Sequence, residues 1–189
     1  MNTYGITGGI GSGKSFVCRM LEERGYPVFY CDEVAKRLIR NDSELKKRLT
    51  TLVGNDLYAA DGTLQKAVLS AFICKSTKQA EAVDAIVHPR VREAYKEWEE
   101  QQKREGKKRI FMECALLFEA GFDKLVEKTV MINTSEDKRV KCIMLRDGIT
   151  EEKARSWMAL QMPEEEKKRR ADIIIENDYT TTPDISHII

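Results

Sequence analysis

Near the start of the chain stands Gly8-Gly9-Ile10-Gly11-Ser12-Gly13-Lys14-Ser15, and glycine fills five of the nine positions from Gly5 to Gly13. Each glycine costs conformational entropy on folding, so the run implies that something large and anionic lies directly against the backbone. The spacing fits G-x-x-x-x-G-K-[ST]. In that pattern successive main-chain N–H groups curl around a phosphate chain, and the following helix aims its positive dipole end at the same charge. Lys14 would reach the β- and γ-phosphates, and the Ser15 hydroxyl would ligate Mg²⁺. At average residue frequencies the pattern arises by chance about once in a hundred chains of this length. A flexible Gly-Ser turn is the alternative. The expected ligand is the phosphate chain of a nucleoside triphosphate with its Mg²⁺, held by Gly9, Gly11, Ser12, Gly13, Lys14, Ser15 and Phe16.

A second candidate group is Asp32, in "FYCDEVAKRLI". It falls where a predicted strand ends and a helix begins. A carboxylate there could take the proton of an attacking hydroxyl and align it with the γ-phosphate. It could equally be a helix N-cap, for which aspartate is favoured. The guanine-nucleotide signatures N-K-x-D and D-x-x-G do not occur in the chain. A small-molecule kinase therefore fits better than a GTP switch. A kinase of nucleoside or nucleotide hydroxyls, and a non-catalytic nucleotide-dependent switch protein, stay open on the loop alone.

The elements that must position these groups are legible in outline. Short apolar runs predict strands at 3–7, 27–31, 109–114, 128–133 and 171–177, near-continuous as in strands buried on both faces. Helical segments follow Lys14, Asp32, Ser135 and Thr150, with a long helical region over 43–105. Alternating strands and helices predict an α/β fold, a parallel five-stranded sheet covered on both sides. About eighty residues separate the second and third strands, more than one crossover needs. This predicts one domain with a core of 1–42, 106–134 and 171–189, an inserted helical substrate lobe at 43–105 and a polar lid at 135–170. The charged run 95–109 also reads as a solvated helix face. The ending "TTTPDISHII" reads as a short helix start or a frayed tail.

Composition sets the outer limits. In 189 residues, Lys plus Arg (32) and Asp plus Glu (31) nearly cancel, so no global field draws nucleic acid or an anionic membrane. Five widely spaced cysteines and two histidines give no zinc-type spacing. The odd thiol count and the lack of an apolar leader point to a reducing, cytoplasmic setting. The cysteines read as small buried hydrophobes. No run approaches the ~20 apolar residues a membrane helix needs.

Taken in order, "GITGGIGSGKS", "CDEVAKRL", "IVHPRVR", "ECALLFEAGF", "MLRDG", "ALQMPEEEK" and "ADIIIEND" resemble dephospho-coenzyme A kinase from about residue 3 to 178. The resemblance implies the P-loop NTPase-type three-layer fold. It also implies transfer of the ATP γ-phosphate to the ribose 3′-hydroxyl of dephospho-coenzyme A, the last step of coenzyme A synthesis. Both partners are small molecules, and the enzyme is expected as a monomer or weak homo-oligomer. On the matching positions Asp32 is the base, with Lys14 and Arg146 beside the transferring group. Lys36, His88, Arg92, Leu116, Phe118 and Gln161 are acceptor contacts, and Arg139 could assist. The segment "IENDY" would lie near the adenine.

His88 also reads as a structural histidine beside a proline-broken helix, Leu116 and Phe118 as core, and Arg139 as a solvated helix residue. The chain departs from the family pattern at several places. Tyr30-Cys31-Asp32 replaces D-x-D, Lys36 an arginine, Cys142 and Trp157 two further arginines, Ala115 a proline and Phe16 a threonine. Glu113 stands where aspartate is common.

Overall fold

The structure, a computed structural model, describes residues 1–189. Five strands form one sheet: β1 (Asn2–Thr7), β2 (Val28–Tyr30), β3 (Arg109–Glu113), β4 (Lys128–Asn133) and β5 (Ile173–Glu176). Their order is β2-β3-β1-β4-β5, and every neighbouring pair is parallel. Between them run α1 (Lys14–Glu23), α2 (Cys31–Asn41), α3 (Ser43–Val53), α4 (Lys66–Ile73) and α5 (Thr77–Arg104). After β4 come α6 (Glu136–Asp147), α7 (Glu151–Met158) and α8 (Glu164–Arg170). The result is the expected three-layer α/β fold with an all-parallel sheet. Its three middle strands are apolar over most of their length because both faces are covered: Ile6, Ile110, Phe111, Met112, Val130, Met131 and Ile132 are wholly buried.

The chain divides into two compact units. One comprises Met1–Tyr30 with Glu99–Ile189, the other Cys31–Trp98. The first holds the whole sheet. Its core joins β1 (Tyr4, Ile6) to α1 (Val17, Cys18, Leu21) and to Ile185 and Ile188 of the final segment. That ending forms a 3-10 turn at Ser186–Ile188 with Ile185 and Ile188 buried, so it is packed and not frayed. A satellite cluster, with Val140, Ile143 and Ala154 at its centre and Trp157 against it, fixes α6 to α7.

The second unit is helical. Along α5, Val83, Val87, Val91 and Tyr95 are buried at four-residue spacing, one face of the helix. Pro89 lies inside α5, which runs on through it and is not broken there. The helical region is interrupted between α3 and α4, where a 3-10 turn (Asn55–Leu57) leads to a lone antiparallel bridge, Tyr58 to Leu64.

At the end of β2 the helix begins two residues earlier than the sequence suggests. Asp32 is therefore in the first turn of α2 and not at its N-cap. With Glu33 it complements the positive end of that helix.

Candidate active site

In the first unit the phosphate loop leaves β1, the middle strand of five, and turns into α1. Loops at the carboxyl ends of parallel strands, where the strand order changes direction, are the usual ligand positions of such sheets. Gly13 precedes α1 in the left-handed conformation (φ 89°) and supplies no side-chain cap. Helix N-termini leave amide donors that an anion can satisfy. The Lys14 ammonium folds back over the loop, donating to the Gly8 carbonyl at 2.9 Å and the Gly9 carbonyl at 3.3 Å. Ser15 and Phe16 are exposed, and Ser12 is wholly buried with its hydroxyl unengaged by any protein group.

The glycines serve the protein as well as a ligand. A Cβ on Gly9 would stand 2.2 Å from an Arg139 nitrogen and 2.3 Å from a Glu164 oxygen; on Gly13, 2.2 Å from Asn177 Nδ2. Four elements hold the loop. From α6, Arg139 donates through Nε to the Ile10 carbonyl (3.0 Å) and pairs with Glu164 of α8 at 3.0 Å. From the α7–α8 connection, Gln161 Oε1 accepts the Ile10 amide at 2.8 Å. From beyond β5, Asn177 Nδ2 donates to the Ser12 carbonyl (2.8 Å), and the Tyr179 hydroxyl donates to the Gly11 carbonyl (2.5 Å). After β4, the Thr134 hydroxyl donates to Ser12 as well, at 3.0 Å.

Arg139 is thus 3% exposed, not the solvated helix residue its charge suggested. Gln161 belongs to the phosphate loop's surroundings. The "IENDY" segment contributes side chains as well as backbone. Tyr179 takes a positive φ of 62°, uncommon without glycine, and its ring stays half exposed. Burial, then contact with Cys142, pushes its hydroxyl well above the usual tyrosine range. Cys142, standing where the family pattern has arginine, is 3.5 Å from that hydroxyl. Arg146 is exposed and paired with Asp147 at 2.7 Å, and its charge is felt at Tyr179.

The turn after β3 is held from α8. Lys167 is wholly buried; its ammonium donates to the Ala115 carbonyl (3.3 Å) and lies 3.4 Å from Glu119. Glu119 also accepts the Met162 amide, at 3.0 Å. Leu116 is half-buried and Phe118 mostly buried, with the Arg170 guanidinium 6.0 Å above its ring. Glu113, the last residue of β3, is beside Ile6 of β1 in register. Cys18 of α1 senses both Glu113 and Lys14. Burial first, then Glu113, holds its thiol protonated far above the ordinary range, while Lys14 opposes them. Cys18 is therefore an inert core residue; Cys31 and Cys114 are buried too, whereas Cys74 is exposed.

The second unit carries the other expected acceptor residues. Asp32 is exposed on α2, and one turn on Lys36 bonds Glu33 at 2.7 Å. His88 on α5 has Nε2 3.5 Å from Asp84, and Arg92 stands one turn further along the same face.

Sequence reasoning missed Lys167, Glu164, Thr134 and Tyr179 as loop and turn supports. Lys167 lies within a charged run, "EEEKKRR", that reads as solvated; nothing local marks which of its lysines turns inward.

Comparison with known proteins places these features in one group. A dephospho-CoA kinase family profile matches residues 3–183. The dephospho-CoA kinase of Salinibacter ruber is 38% identical over 95% of this chain and 90% of its own length. That of Geobacillus kaustophilus is 35% identical over 94% and 89%. A crystal structure from Thermus thermophilus superposes with a TM-score of 0.78 at 35% identity, covering 93% of this chain and 88% of that one. Dephospho-CoA kinase from Campylobacter jejuni gives 0.68 at 26% identity, over 94% and 88%.

Proposed function

The chain belongs to the dephospho-CoA kinase family, and from that premise we propose how its own residues divide the work. The activity is ATP-dependent phosphorylation of the ribose 3′-hydroxyl of dephospho-coenzyme A, giving coenzyme A and ADP. The triphosphate lies against the amides of Gly9–Phe16. Lys14 exchanges its bonds to the Gly8 and Gly9 carbonyls for β- and γ-phosphate oxygens. The observation that carries this reading is the loop itself: strand, positive-φ glycines, lysine, helix, at the carboxyl edge of a parallel sheet.

Asp32 takes or orients the proton of the 3′-hydroxyl. Support comes from its exposed carboxylate at the head of α2, two residues beyond the end of β2. His88, Arg92, Lys36, Leu116 and Phe118 hold the acceptor, and Gln161 keeps the lid against the loop. Arg146 releases Asp147 to neutralise charge on the transferring group as the lid closes. Because the transition state is loose, positioning and electrostatics supply most of the acceleration.

The donor set fits Mg²⁺ carried in with the nucleotide. Ser15 offers an exposed hydroxyl in the first turn of α1, and Glu113 a carboxylate at the neighbouring strand end. No cluster of three or more acidic, histidine or cysteine ligands is present, and magnesium bound through phosphates and water needs none. When bound, the ion neutralises β- and γ-phosphate charge. Five free thiols accord with a reducing cytoplasm, and no helix is long and apolar enough to cross a membrane. ATP and dephospho-CoA are the partners, with no nucleic acid, in a monomer or weak homo-oligomer.

The test is ADP release by the purified protein with dephospho-CoA, with nucleosides and nucleotides, and with no acceptor. Stimulation by dephospho-CoA alone is expected. Lys14→Ala and Asp32→Asn should each lower kcat by about 10²–10³-fold or more. Near-normal turnover by Asp32→Asn removes it from the base role, and a flat response across acceptors refutes the kinase.

A further inference from the structure

Every carbonyl of the phosphate loop from Gly8 to Ser12 accepts a side-chain donor. Lys14 holds those of Gly8 and Gly9, Arg139 that of Ile10, Tyr179 that of Gly11, and Asn177 that of Ser12. Two of these contacts bear directly on the ligand side. A trans peptide is planar, with its C=O and N–H directed oppositely, and the chain has no cis bond. The Ile10 carbonyl shares its plane with the Gly11 amide, and the Ser12 carbonyl with the Gly13 amide. Fixing these carbonyls on Arg139 (3.0 Å) and Asn177 (2.8 Å) therefore aims the two amides away from those side chains. Gly11 and Gly13 take positive φ of 79° and 89°, while Ile10 and Ser12 do not, an alternation that gathers amides into an anion-binding hollow. Neither amide has an acceptor among the loop's own hydrogen bonds, whereas the Ser12 amide between them donates to Gly9 at 3.1 Å.

Both side chains are buried. A buried guanidinium is unfavourable unless it is paired and bonded, and Arg139 meets that condition through Glu164 at 3.0 Å and the Ile10 carbonyl. With its charge answered by Glu164, Arg139 acts on the backbone of the loop rather than as a free cation. Gln161 accepts the Ile10 amide at 2.8 Å, so both polar groups of that residue are fixed from outside. Thr134 has one hydroxyl proton for two carbonyls, Ser12 and Asn177, at 3.0 and 2.8 Å, which leaves Asn177 as the committed donor to Ser12. Donors aimed before the charge arrives need no reorganisation when it does. We propose that Arg139 and Asn177 are positioning residues for phosphate binding: Arg139 aims the Gly11 amide, and Asn177 the Gly13 amide, at the nucleotide's phosphate chain without touching it. The inference rests on the reading of Gly9–Phe16 as the phosphate cradle.

Three variants test it: Asn177→Ala, Arg139→Gln, and Arg139→Gln combined with Glu164→Gln, which leaves no carboxylate without its cation. Calorimetric titration should show ADP binding about tenfold weaker or more in each, the worth of one hydrogen bond to a charged group. Adenosine, which has no phosphate, should bind as it does to the wild type. A merely structural role would weaken both ligands alike. Amide NMR separates the two residues. On adding ADP, the Gly11 resonance should move less than in wild type in the Arg139 variants, and the Gly13 resonance less in Asn177→Ala. Thermal unfolding confirms the fold, and where one variant does not fold the others decide. Unchanged ADP affinity in the folded variants, or equal losses for ADP and adenosine, overturns the positioning role. Weaker ADP binding in Arg139→Gln with the Gly11 shift intact makes Arg139 a direct phosphate ligand and also overturns it. A wild-type protein that binds ADP no better than adenosine overturns the phosphate cradle itself.

Discussion

Gly13 shows how closely the loop's residues are specified. Its φ of 89° is left-handed, and a Cβ there would meet Asn177 Nδ2 at 2.2 Å. That Asn177 is buried and itself holds the Ser12 carbonyl. Gly13→Ala should therefore cost about 1–2 kcal/mol from the backbone alone, and displace Asn177 besides. Thermal unfolding should reveal the loss, and titration with ATP a weaker affinity; an unchanged midpoint would show that the loop relaxes freely. Glycine at this site answers two demands at once, the approach of phosphate from outside and the approach of Asn177 from within. Only the first was legible from G-x-x-x-x-G-K-S, because the partner is 164 positions further along the chain.

Asp42 joins elements rather than atoms. Its carboxylate caps α3 by accepting the Leu45 amide at 2.9 Å, and its other oxygen accepts from Arg90 of α5 at 2.8 and 3.2 Å. The Leu45 amide first, then Arg90, holds Asp42 below the usual carboxylate range. A depressed folded pKa means the stabilisation is present above the unfolded value and is lost as pH falls through the folded one. Asp42→Ala should destabilise the protein by about 1–2 kcal/mol at neutral pH, mostly through the lost cap. That difference should shrink as pH drops below about 4, where the carboxyl of the unfolded chain begins to take up a proton that the folded one still resists. Urea unfolding of both proteins across pH 3–7 checks it, and a pH-independent difference would exclude the ionised cap. The helical region expected from residue 43 does begin there, at Ser43 of α3. The tie to α5 was not legible, because Arg90 reads as one of many helical arginines.

At the scale of the molecule, the last residues close the core that the first ones open. Ile188 is wholly buried with Ile185 among Tyr4, Ile6, Val17 and Leu21. Ile188→Ala should cost about 2–5 kcal/mol by leaving a cavity beneath the sheet. A thermal midpoint within a degree or two of wild type would show the tail to be dispensable. By itself the sequence determined the phosphate loop, the five strands and the α/β class. These depend on spacing and on burial of both strand faces, which are written in consecutive residues. Only the tertiary structure decided which charges turn inward: Arg139 and Lys167 have sequence neighbours as polar as any surface residue's. It also decided that Asp32 stands in the first turn of α2, that the tail packs, and that the apolar residues of α4 are only half-buried. Those outcomes hang on contacts between segments distant in sequence, whose energies no local pattern records.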